Sequence, residues 1–137
     1  MATITPAPLY FKDAVLEIDG DDYAPAASSA TLTPSVSSTT FYGLKEDAMF
    51  PESSVDWTLE VTFVQDWDSA TSLSRYLWDN QGSVITGVTL SPRDGSGPSF
   101  TMDLHIVPGS IGGSTRAHAT STVSLPVVGV PTLVEAV

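Results

Sequence analysis

His105 and His118 are the first side chains to weigh as metal ligands or proton carriers. They fall on separate segments with no second histidine close by, and a catalytic zinc takes three protein ligands. A third ligand would have to come from Asp103 or another distant carboxylate, so the simpler reading places both rings on polar faces. Asp66 and Asp68 flank Trp67, an arrangement with the flavour of a sugar cleft. Glycoside hydrolysis needs two carboxylates held across a bond, which sequence neighbours do not establish. Capping of a helix by Asp68, with Asp66 in the turn, explains both residues. Asp19, Asp21 and Asp22 share the composition of a calcium loop without its register or closing glutamate, which leaves a charged turn.

Cysteine is absent, which removes disulfides, thiol nucleophiles and thiolate metal sites. No glycine loop leads into a helix as a phosphate cradle would, and no serine sits at a strand-to-helix elbow. The expectation is a chain without catalytic residues, metal or cofactor, whose work is binding or assembly. Arg75 and Trp78 suit that work, because aromatic and guanidinium groups often carry protein interfaces. The plainer alternative has Trp78 covering the end of a sheet.

Sixteen acidic residues against five basic ones give a net charge of −11 over 137 residues. A nucleic-acid clamp needs lysine and arginine for its phosphates, so that class is excluded, although an acidic wall would let DNA pass without gripping it. The length suits one domain with a real core. No apolar run is long enough to cross a membrane, and the start MATITPAPLYF lacks the basic and then apolar sections of a signal peptide. A soluble product of a cytoplasm, with no membrane anchor, is the expectation.

Ten prolines, ten glycines and abundant serine and threonine point to a mainly β chain with punctuated turns. Its organising stretch is 55–82. Val55, Trp57, Leu59, Val61 and Phe63 alternate with Asp56, Thr58, Glu60 and Thr62, the period of a strand with one covered face. Ala70, Leu73 and Leu77 then take helical spacing, with Asp68 as cap and Gly82 past the last turn. Further strands are expected at 14–19, weakly at 28–34, and at 83–90, 100–107 and 116–125. A turn at 19–22 follows from Gly20 and from the poor pairing of like charges. Glycine- and proline-rich turns are expected at 91–98 and 108–113.

Three segments look like contact surfaces. The arm 1–10 carries Pro6 and Pro8 and cannot easily join a helix. Residues 35–54 hold the apolar knots Phe41, Tyr42, Leu44, Met49 and Phe50 without a clear period, as a hairpin or an interaction loop. The arm 127–137, with Val127, Val128 and Leu133, is apolar yet broken by Gly129 and Pro131, and partner contact would hide it. The whole is expected to be an antiparallel β-sandwich or partly closed barrel with one flanking α-helix.

Several stretches in order resemble the small major tail proteins, or tail tube proteins, of long-tailed (siphovirus-type) bacteriophages, especially those of actinobacteria. They are Ala14–Ile18, Trp57–Phe63 followed by Gln65-Asp66, the helix Leu73–Asn80, the strand ending Leu90-Ser91-Pro92-Arg93, and the close Thr122–Pro131. The resemblance implies a β-sandwich or barrel with one helix, assembled as hexameric rings that stack into a tube and conduct the genome during ejection. It implies a virion tail location, assembly in the bacterial host cytoplasm, and tape measure, terminator and distal tail proteins as neighbours. DNA would pass without specific binding. Segment 35–54 matches the place of the ring-stacking loop, and the two ends match inter-subunit arms. Two departures stand out: the chain is short for the group, and Arg93 or Arg116 beside the lumen would blunt its negative potential. Competing readings are a tail terminator or head–tail connector ring, a carbohydrate-binding β-sandwich presenting Trp57, Trp67 and Trp78 along a flat face, and, last, a hydrolase.

Overall fold

The computed structural model describes residues 1–93 and 97–135; Asp94, Gly95 and Ser96 of the expected turn, and Ala136 and Val137 of the tail, lie outside them. The fold is mainly β and antiparallel, with one α-helix. Its strands are β1 (Val15–Ile18), β2 (Asp21–Asp22), β3 (Ala27–Tyr42), β4 (Met49–Val64), β5 (Val84–Ser91), β6 (Ser99–His105) and β7 (Thr120–Val134). They form one open sheet in the order β2-β1-β5-β6-β7-β4-β3.

Strand β7 explains how one sheet makes a layered core. Residues Thr120–Pro126 pair with β4, and Val127–Val134 pair with β6. The sheet therefore changes partners along a single strand. Leu59, Val61, Phe63, Val123 and Leu125 from one part share a buried cluster with Leu16, Ile18, Val88, Leu90, Met102 and Leu104 from the other. Helix α1 (Leu73–Asp79) adds Leu73 and Leu77, one turn apart on its inner side.

Local chemistry sets the corrections to the sequence reading. The helix begins later than expected: Ser72, not Asp68, is the N-cap, and its Oγ accepts from Arg75 N at 3.4 Å. Asp66 instead orders the approach, since its Oδ1 accepts from Asp68 N and Ser69 N, both at 3.1 Å. Residues 19–22 are more than a turn. Asp19 and Gly20 both have positive φ, the geometry of a two-residue hairpin loop, and Glu17 faces Asp22 across it. That like-charge pairing is tolerated because Asp22 Oδ1 accepts from Leu16 N and Ala24 N.

A bulge breaks the simple alternation of β5. The register shifts between Ile85 and Val88, where Gly87 takes φ +73° and donates to Asp103 Oδ1 at 3.3 Å. One extra residue turns the inward face over, so Val88 and Leu90 are buried while Val84 is exposed. The expected strand at 116–125 starts only at Thr120, and Arg116 holds a positive φ.

Candidate functional site

Strands β3 and β4 run far beyond the body. Their register pairs Ala27 with Phe63 at the base and Tyr42 with Met49 at the tip. Strand β7 flanks β4 only as far as Thr58, opposite Pro126. Past that point the chain is a two-stranded ribbon, and every residue in 33–42 and 49–56 is exposed. At about 3.4 Å per residue it extends for roughly 30 Å. Segment 35–54 is thus a hairpin, turned at its tip by a bond from Gly43 N to Ala48 O. Pro34 lies on β3, the outer strand, where its missing N–H disturbs no ladder.

The two faces of this ribbon differ in kind. On one, Ala30/Val61 and Leu32/Leu59 belong to the core, and the same side continues as Pro34/Trp57, Val36/Val55, Ser38/Ser53, Thr40/Pro51 and Tyr42/Met49. The covered face of the sheet thus runs on into water. The other face pairs Ser29/Thr62, Thr31/Glu60, Thr33/Thr58, Ser35/Asp56, Ser37/Ser54 and Thr39/Glu52, ending at Phe41/Phe50. Beside them on β7 stand Thr122 and Ser124, and Thr62 Oγ1 lies 3.0 Å from Thr122 Oγ1. Between Ser29 and Thr39 these pairs present only hydroxyls and the carboxylates of Glu52, Asp56 and Glu60. Neither arginine that could have blunted this charge is among the paired residues of the face: Arg93 follows β5 and donates from Nε to Tyr10 O at 3.2 Å, and Arg116 precedes β7.

A second feature lies by the helix. The side chains of Leu73 and Leu77 enter the core, and Trp78, rotated by about 100° from Leu77, leaves it. Trp78 meets Trp67 edge to face, with centroids 6.3 Å apart and planes at 85°. Gln65 fixes this corner. Its Nε2 donates to Gly112 O at 2.8 Å and to Thr120 O at 3.0 Å, while its Oε1 accepts from Gly112 N at 3.1 Å and from Trp67 Nε1 at 3.3 Å. The loop bearing Ile111 is thereby held beside the indoles. Trp67, Trp78, Arg75, Asp79 and Ile111 surround an open hollow of about 500 Å³.

The electrostatics of the remaining candidates are structural. Hydrogen bonds from Ser69, with a further one from Asp68, hold the Asp66 carboxyl below its ordinary range. Tyr76 packs against Tyr23 with ring centroids 5.6 Å apart and planes tilted at 43°, and burial raises its hydroxyl pKa, with Asp19, Tyr23 and Asp21 adding to the effect. Burial likewise raises Tyr23, helped by Asp21 and Asp19. Among the described residues no three His, Asp or Glu side chains converge as a metal site. Among them also, no helix is long and apolar enough to cross a membrane.

The expected contact residues therefore fall in three places. Phe41, Tyr42, Leu44, Met49 and Phe50 gather at the exposed hairpin tip, where the Phe41 and Phe50 rings lie 6.2 Å apart. Arg75 and Trp78 line the hollow by the helix. Val127, Val128 and Leu133 lie on β7 paired to β6, with Val127 against the core and Val128 and Leu133 exposed. Residues 1–11 are irregular and exposed. The sequence reading missed Trp67 as a partner of Trp78, and Gln65 as the clamp; both lie in the link between β4 and α1, where neither strand nor helical period applies.

No protein-family model matches the chain, and no curated protein matches it. Among solved structures, a chain in the virion of a native gene transfer agent particle is similar with a TM-score of 0.52 at 11% identity, over 88% of this chain and 95% of that chain. At that identity the likeness is one of fold.

Proposed function

We propose that this chain is a structural, non-enzymatic subunit of a phage-type virion, and within it the tail tube protein. In this reading six copies close into a ring, the rings stack, and the bore conducts DNA outward during ejection. Tape measure, terminator and distal tail proteins would be its neighbours.

The observation that carries the reading is the two-faced hairpin. A two-stranded ribbon is marginal in water by itself, and one whose apolar side continues the core face needs a cover. A neighbouring copy laid against Val36, Val55, Trp57 and Tyr42 supplies it, and ring closure also removes the free edge of β3. The opposite side then faces the bore with hydroxyls and three carboxylates, offering DNA phosphates no cation to hold. The fold likeness to a chain of a gene transfer agent virion supports the same class of role. The hairpin matches the place of a ring-stacking contact, and the arm 1–10 and the exposed Val128 and Leu133 of β7 would serve as further subunit contacts.

A carbohydrate-binding reading would gain from a flat row of indoles, whereas Trp67 and Trp78 stand at 85°. Negative-stain imaging of the concentrated protein tests the proposal: hollow rings or tubes are expected, and a population of single copies at every concentration would refute it.

A further inference from the structure

Beside the helix, aromatic and polar side chains converge on an open hollow. Trp67, Trp78 and Ile111 form its apolar walls, and Arg75 and Asp79 complete the lining. We propose that this hollow binds a neutral pyranose ring at the exposed end of a glycan, with the indoles against the C–H groups of the sugar and the Arg75–Asp79 pair on its hydroxyls.

A pyranose is amphipathic. Its C–H groups carry partial positive charge and the face of an indole is negative, so the two attract while apolar surface is buried. Trp67 and Trp78 are 38% and 49% exposed, with planes at 85° and centroids 6.3 Å apart. Walls at a right angle give no platform for an extended polysaccharide; they make a corner in which one indole underlies a single ring and the other flanks it. The polar groups match as well. Arg75 and Asp79 lie one helical turn apart on the same side of α1, so guanidinium donors stand beside carboxylate acceptors. Neighbouring sugar hydroxyls each donate and accept, and such a pair answers both functions.

Charge selects among glycans. The Arg75 and Asp79 head groups cancel, so the rim holds no net charge to attract an ionic ligand, and a chain of net charge −11 repels glycans bearing carboxylate or phosphate. A neutral sugar escapes that penalty.

The site is built before a ligand arrives. Gln65 Nε2 donates to Gly112 O, and Gln65 Oε1 accepts from Gly112 N and Trp67 Nε1, which holds the Ile111 loop beside a fixed indole. On the helix side, Leu73 and Leu77 anchor α1 in the core. The volume, about 500 Å³, lies in the range of small-ligand sites. A single copy holds every residue named, so binding does not require the tube.

The experiment titrates methyl α-D-glucopyranoside, methyl α-D-mannopyranoside, methyl β-D-galactopyranoside and methyl N-acetyl-β-D-glucosaminide separately into dilute, ¹⁵N-labelled full-length protein and follows the three indole N–H signals. At least one sugar should give saturable shifts of the Trp67 and Trp78 signals, half-complete at roughly 1–10 mM, with Trp57 unmoved. Trp78→Ala should weaken that binding at least about tenfold, and Asp79→Ala, which leaves both indoles in place, several-fold. Because the ligand is neutral, its affinity should stay within about twofold between roughly 0.05 and 0.5 M salt. No shift with any of the four sugars, the same shift with open-chain sorbitol, an affinity unchanged in both variants, or tighter binding of glucuronate would each overturn the proposal. A response to hexaproline alone would also overturn it, making the hollow a peptide site. Rings should form from Trp78→Ala as readily as from the unaltered chain. Their loss in that variant would assign the hollow to a contact between copies, overturning the proposal and leaving the tube reading intact; sugar binding by a chain that never forms rings would do the reverse.

Discussion

Val36 faces Val55 across the β3–β4 hairpin on the same side as Leu32 and Leu59, yet Leu59 is 0% exposed and Val36 is 69% exposed. One continuous strand face is thus core at its base and surface at its end. The cover stops where β7 leaves β4, beyond Thr58. The exposed part of the face is the place where a neighbouring copy completes the layer.

Replacing Val36 and Val55 together by serine should leave the single copy as stable as before, to within about 0.5 kcal/mol, because neither is in its core. Burying each valine against a neighbour is worth roughly 1.5 kcal/mol. Losing both should raise the concentration needed for assembly about a hundredfold, measured by sedimentation.

Glu52→Lys, Asp56→Lys and Glu60→Lys combined should leave assembly intact, since all three lie on the wet face. The bore would then attract phosphate. Tubes of this variant should retain duplex DNA at low salt and release it as salt rises, whereas unaltered tubes should not retain it; a filter-binding series reads the difference.

Tyr76 carries a buried hydroxyl oxygen with no hydrogen-bond partner. Tyr76→Phe removes that polar atom and keeps the ring against Tyr23, so it should stabilise the fold by up to about 1 kcal/mol in a urea melt. Both tyrosines have raised pKa values in the fold. Their contribution is full below the unfolded value near 10 and is lost as pH rises from there through the folded values. The alkaline loss should be shallower in Tyr76→Phe.

Gly109→Ala should destabilise by about 1–3 kcal/mol. A Cβ there would run into Ser121 Oγ and approach Phe63 Cζ to 3.2 Å, and both neighbours are buried. Thermal melting of this variant beside Gly20→Ala separates crowding from backbone strain, because a Cβ at Gly20 meets nothing within 4 Å but sits at φ +85°.

The fold class was legible because alternation in Trp57–Phe63 and the one-turn spacing of Leu73 and Leu77 both report a covered side. The hairpin's length was not. Serine and threonine fill both faces of Ser35–Ser54, so periodicity fades where burial ends. The bulge at Gly87 was marked only by a glycine inside a strand, and the cap is Ser72 rather than Asp68 because the helix starts only at Leu73, with Asp68 and Ser69 held in the preceding turn by Asp66. The hollow beside Trp67 and Trp78 takes Ile111 from a loop distant in sequence, which no local pattern encodes.

A three-dimensional reconstruction of the assembled particle, resolving side chains, tests most directly whether the two faces of the hairpin have the roles assigned to them. Glu52, Asp56 and Glu60 should line a hollow bore while Val36 and Val55 lie against the next copy. A bore lined by lysine and arginine, or Val36 and Val55 left in solvent within a closed ring, would contradict it.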